Sequence, residues 1–210
     1  KTCTNGSSEL MTNLSMSLVN ALYNLQLMKI AGENGVAAYG AVMYVNFIFV
    51  ATFLGYAIGC APVISYHYGA GNHAELKNLY KKSMSIILVW GVILFGAAQL
   101  LAPVLSKIFV GYNTGLYAMT LHGFRVYAIA FLIIGINIFG SSFFTALNNG
   151  LISAVISFLR TLMFQVIMVL TLPLWFGING IWSAISIAEA LTLIMTTTFF
   201  VRQKDKYHYL

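Results

Sequence analysis

The sequence predicts an all-α integral membrane protein, a bundle of six transmembrane helices. Three observations carry that fold class. The 210 residues are 60% hydrophobic and only 8% charged, with a mean hydropathy of +0.84; soluble domains carry roughly a quarter charged residues. Apolar stretches reach the roughly 20 residues that a helix needs to cross the hydrocarbon. Strand-length alternation is absent, and the runs are too long for barrel strands.

The expected spans are 9–30, 36–66, 80–102, 119–147, 151–174 and 178–201. The second and fourth exceed the bilayer's need, which permits tilt or projection. Residues suited to helix ends separate them: Gly32 to Gly35, Gly69 to Gly71, Pro103, Asn148-Asn149-Gly150, and Pro173 with Gly177. The third span is apolar nearly all round, with Trp90 and Gln99 as its main exceptions, and is expected to face lipid.

The net charge of +6 comes from 11 Lys and Arg against 5 Asp and Glu. The basic residues sit at span ends instead of forming a nucleic-acid face. With an even number of spans, Lys1, Lys77, Lys81, Lys82, Arg202, Lys204 and Lys206 share one side; Lys29, Lys107 and Arg125 lie on the other. The richer side, with both termini, is expected to be cytoplasmic. Cys3 and Cys60 are too isolated for a disulfide framework or a metal site. The chain opens on Lys1 without a signal-peptide pattern, and we expect it to be a piece of a longer protein.

Polar residues inside the spans recur at helical spacing. Glu9, Asn13, Ser17, Asn20 and Asn24 follow one line along the first span; Asn137, Ser141, Thr145 and Asn148 do so in the fourth. Ser153, Ser157, Thr161 and Gln165 repeat the pattern in the fifth. Such stripes either join packed helices by hydrogen bonds or line a wet cavity; the three asparagines of the first span favour a cavity. Tyr39, Asn46 and Phe53 share a face at sevenfold spacing, which suits aromatic contact with a flat cation or plain helix packing.

Two charges lie deep. At 1.5 Å rise per residue, Glu189 is roughly 18 Å and Arg160 roughly 14 Å from the cytoplasmic end, so the two can pair between adjacent helices. Three roles stay open for them: a structural lock, a pair that exchanges partners as a proton moves, or Arg160 snorkelling to the interface. Glu9 is either an interfacial carboxylate or a coupling group. Gly55 and Gly59 form a GxxxG followed by Pro62, a pattern for close helix approach and a bend, and hence for a hinge. His67, His73, His122 and His208 lack metal-ligand spacing, and no nucleophile triad shares one depth. An enzyme and a cofactor are therefore not expected.

The stretch Gly59-Cys60-Ala61-Pro62-Val63-Ile64-Ser65-Tyr66-His67-Tyr68-Gly69-Ala70-Gly71, followed by polar residues to Lys82-Ser83, resembles a helix-and-loop signature of the multidrug and toxic compound extrusion (MATE) transporters. Phe143-Phe144-Thr145-Ala146-Leu147-Asn148-Asn149-Gly150 resembles a later helix end in the same family, in its MepA-like bacterial branch. The resemblance spans essentially the whole chain and implies the C-terminal six-helix lobe of a twelve-helix transporter, the N-terminal lobe being absent. It implies antiport of lipophilic or cationic drugs against H+ or Na+ by alternating access, in a bacterial cell membrane. Asn13, Ser17, Asn20, Asn24, Tyr39, Asn46, Asn137, Ser141 and Gln165 are the substrate-pathway candidates; Glu9, Arg160 and Glu189 are the coupling candidates. Where sodium-coupled members are acidic in the seventh and tenth helices, this sequence carries Met16 and Gly135, which weakens a sodium site in this lobe. The partners implied are lipid, small drugs or organic cations, and the other lobe. The alternatives are a lipid-linked saccharide flippase, which wants a more basic cavity, and a six-helix protein acting as a homodimer.

Overall fold

A computed structural model describes the backbone of residues 2–209 and the side chains of residues 15–209. Glu9 and Asn13 therefore lie outside the described side chains. The described chain is helical throughout, without a strand. Its first stretch, Thr2–Gly69, is two rods, because Gly32 takes φ 62° and ψ −153° within it. That conformation is open essentially to glycine alone. The chain folds back there: Tyr23 stacks on Tyr39 at 5.0 Å and 8°. The arms are α1 (2–31) and α2 (33–69).

Four further helices follow: α3 (His73–Val110), α4 (Thr114–Ala146), α5 (Gly150–Phe176) and α6 (Ile178–Tyr207). Short turns join them, and asparagines cap the new helices. Asn72, Asn113 and Asn149 accept from the backbone N–H of Glu75, Leu116 and Ile152, satisfying donors that a helix start leaves orphaned. Pro103, expected as a break, lies inside α3, which runs on to Val110. A proline removes a single helical hydrogen bond, and a membrane helix tolerates that loss. The α3–α4 turn instead falls at Gly111 to Asn113.

Helix α4 is the spine. Of its apolar window 67% is buried, against 44% in α6 and 22% or less in the others. Small residues let neighbours approach it closely: a Cβ on Gly135 would stand 2.4 Å from the Phe53 ring, and one on Gly123 would stand 2.6 Å from Trp182. Helix α3 lies outside, with Val89, Val92, Ile93 and Leu100 exposed. Its two polar exceptions turn inward, Trp90 donating to Thr52 at 2.9 Å and Gln99 to the Arg125 carbonyl at 3.0 Å.

One end of the bundle is closed by aromatic rings. Tyr80, Phe143, Phe200 and Tyr209 lie within 5.0–6.3 Å of one another, and Tyr209 donates to the Phe200 carbonyl at 2.8 Å. Asn149 donates to the Tyr207 hydroxyl at 2.9 Å, and Tyr68 meets the Tyr207 ring. The end of α2, the α4–α5 turn and the tail of α6 thus meet on one side.

Candidate functional site

A cavity of about 300 Å³ opens among α1, α2, α4, α5 and α6. Asn20 and Tyr23 line it from α1; Tyr39, Met43 and Asn46 from α2; Tyr127 and Ile134 from α4; Arg160, Thr161 and Gln165 from α5; Ile185 and Glu189 from α6. The hairpin at Gly32 places the Tyr23 and Tyr39 rings in one stack on its wall. Tyr39 donates to Asn20 Oδ1 at 3.1 Å, fixing the ring. The Tyr23 hydroxyl and Asn46 Oδ1 are buried without a hydrogen-bond partner among the described residues.

The charged centre joins three helices. Arg160 Nε donates to Glu189 Oε1 at 2.8 Å and to Oε2 at 3.1 Å. Asn137 Nδ2 donates to the same Oε2 at 2.7 Å and to the Glu189 carbonyl at 3.0 Å. The Glu189 side chain is 0% exposed and that of Arg160 18%. A carboxylate so enclosed is stable as an ion because three donor contacts replace water. Arg160 sits in a π-helical turn, Leu159–Met163, inside α5; such turns recur at functional sites.

The sequence candidates separate into those on the cavity and those elsewhere. Asn20, Tyr39, Asn46, Gln165, Arg160 and Glu189 line it. Asn137 does not; it is fully buried behind the wall and orients Glu189. Ser141 does not either. Its hydroxyl meets Ser153 Oγ at 2.9 Å and Ser157 Oγ at 2.7 Å, and Thr145 donates to Ser153 at 2.6 Å, so these residues glue α4 to α5. Ser17 and Asn24 are exposed and outside the lining.

Helical phase explains the split on α1. At roughly 100° per residue, the line through residues 13, 17, 20 and 24 lies about 80° round from the line through 16, 19, 20 and 23. Asn20 alone falls on both. On α5 the π turn does the sorting: Ser153 and Ser157 before it face α4, while Thr161 and Gln165 within and after it face the cavity. Phe53 leaves the Tyr39–Asn46 face to pack on Gly135. Gly55 and Gly59 have no atom within 4 Å of a Cβ position, and α2 continues through Pro62 to Gly69. The close approach expected of that GxxxG is therefore not made to any described residue.

Sequence reasoning missed Tyr23 and Tyr127. The available signal was a hydroxyl-bearing ring in mid-span, and Tyr23 also flanks the predicted turn opposite Tyr39. Among the described residues no three His, Cys, Asp or Glu side chains gather as a metal site would need.

The MatE family model matches residues 10–171. A search of curated proteins finds no match. Solved structures share the fold. One, an inward-facing conformation of a multidrug resistance MATE family transporter of the MOP superfamily, is 20% identical over 96% of this chain and 47% of its own, at a TM-score of 0.89. A crystal structure of MATE in complex with MaL6 gives 20%, 98%, 46% and 0.88. A MOP superfamily transporter from Pyrococcus furiosus, described by a reverse polarity of its binding pocket, gives 21%, 94%, 45% and 0.85. The chain spans about half the length of the structures it matches. With the family model covering most of its residues and the helices superposing on those folds, the chain belongs to the MatE family.

Proposed function

We propose that the chain is the C-terminal six-helix half of a multidrug efflux transporter that exchanges lipophilic or cationic compounds for H+ or Na+ by alternating access. In this reading a second six-helix half of the same polypeptide supplies the opposite wall of the cavity. The protein lies multi-pass in a bacterial cell membrane, with both ends of this half cytoplasmic, the side where Lys77, Lys81, Lys82, Arg202, Lys204 and Lys206 gather.

The observation that carries the reading is the Arg160–Glu189 pair on the wall of an aromatic-lined cavity. Charges this deep are costly in a membrane and mark functional paths. A proton is the coupling ion the geometry favours. Met16 and Gly135 offer no carboxylate, and Gly135 is closed off by Phe53. Protonating Glu189 would take the charge of the pair from zero (+1 − 1) to +1. At about 5 Å and an effective dielectric near 20, that change disfavours a bound cation by about 3 kcal/mol. Similar folds occur in an inward-facing structure (TM-score 0.89) and an outward-facing one (0.87), which supports a half that keeps its shape while access alternates.

The test is dye efflux by the full-length protein carrying Asn20→Leu, the one stripe residue that reaches the cavity. Efflux is expected to fall severalfold at equal expression. Unchanged efflux removes the α1 wall from the mechanism.

A further inference from the structure

The ion pair is not symmetric toward the cavity. Glu189 is enclosed at 0% exposure, while Arg160 keeps 18%. Only Nε of Arg160 is engaged, donating to both oxygens of Glu189. Neither Nη donates to a described residue, and neither is a buried atom lacking a partner, so both are accessible. Since Arg160 lines the cavity, a compound there meets the free end of a guanidinium and not a carboxylate. Asn137 already shares the charge of Glu189 at 2.7 Å, which leaves the guanidinium able to serve a second acceptor.

From this we infer that Arg160 is a specificity residue whose two Nη groups dock a planar anion, a carboxylate, on a flat aromatic compound resting against the Tyr23–Tyr39 stack. A guanidinium edge presents two parallel N–H donors at the spacing of carboxylate oxygens, so the contact is bidentate and directional. Thr161 follows Arg160 in the π turn and Gln165 lies beyond it, both on the same wall, adding neutral donors beside it. The preferred compounds of this half are therefore zwitterionic or anionic aromatics; for a simple lipophilic cation this wall supplies rings but no counter-charge. This rests on the cavity being the compound site proposed above.

A matched pair of dyes tests it: rhodamine 110, which carries a free carboxylate, and rhodamine 123, its methyl ester on the same rings. Binding to the full-length protein in phosphatidylcholine nanodiscs is read by fluorescence anisotropy. Wild type is expected to prefer the acid by tenfold or more. Arg160→Gln with Glu189→Gln, which leaves no lone buried charge, is expected to bring the acid-to-ester ratio to about one, and Arg160→Lys to lower it partway. Equal binding, preference for the ester, no binding of either dye, or a preference that survives the double variant overturns the inference. If the acid loses tenfold in phosphatidylglycerol discs, the edge belongs to an anionic headgroup and the inference also falls. Efflux is measured separately: acid-selective binding without efflux of either dye refutes the transporter reading alone, and efflux with ester preference refutes this inference alone.

Discussion

Replacing Glu189 by glutamine keeps the shape of the side chain and removes one charge from a site with no exposure. Arg160, bound at 2.8 Å, is then left as a cation among apolar helices with its only ionic partner gone. Breaking a buried pair from one side costs about 3–5 kcal/mol; the opening toward the cavity places this case near the lower figure, about 3 kcal/mol. Arg160→Gln leaves Glu189 with Asn137 alone and should cost a similar amount. The double change to glutamines removes the lone charge from both sides and should cost far less than the sum. Denaturant unfolding of the full-length protein in mixed micelles, followed for the four members of the cycle, reads the difference directly. We expect a coupling energy of about 2–4 kcal/mol, the range for residues in one charged network extended for burial. Single-variant losses that add to within about 0.5 kcal/mol would refute the pairing and with it the account of why both charges are tolerated.

Other outcomes follow from the same geometry. Gly32→Ala forces a side chain into a backbone conformation that only glycine tolerates, with φ 62° and ψ −153°; a loss of about 1–3 kcal/mol is expected in the same unfolding measurement. Ser141→Ala should cost about 0.6–2 kcal/mol through lost α4–α5 contacts and leave dye efflux per folded molecule unchanged, since its hydroxyl is spent on Ser153 and Ser157. Burial raises the Tyr209 hydroxyl above its ordinary value of 10.0, so the folded form holds its proton more tightly than the unfolded chain. The stability it contributes is complete below pH 10 and declines as pH rises from there toward the folded-state value. Thermal unfolding between pH 8 and 11 should show that decline in wild type and a shallower one in Tyr209→Phe.

The membrane class and the placing of the turns were legible because they depend on local chemistry: Gly32, Gly71 and Gly177 all take positive φ where breaks were expected. The Arg160–Glu189 contact was legible too, since depth in a straight helix follows from residue count. Pro103 misled because a proline interrupts one hydrogen bond without fixing where a helix stops. The stripes misled more. Spacing identifies a shared face but not what that face meets, so the asparagine line of α1 was assigned to a cavity that lies about 80° away. Ser141 was misassigned for the same reason. No rule of residue spacing foretold the π turn, which arises where helix contacts compete with the α repeat.

That turn has an evolutionary consequence. Helix α5 carries two polar programmes in series, a hydroxyl seam against α4 and a cavity wall with Arg160, held out of phase by the widened turn at Leu159–Met163. Point substitutions alter either programme separately. A one-residue deletion in the turn would instead restore the α repeat and swing everything beyond it by about 100°, uncoupling Gln165 from the cavity while sparing the seam. Insertions and deletions, tolerated in most loops of such proteins, are thus the harshest form of change at this point in the membrane. The length of these five residues is under tighter constraint than their identities.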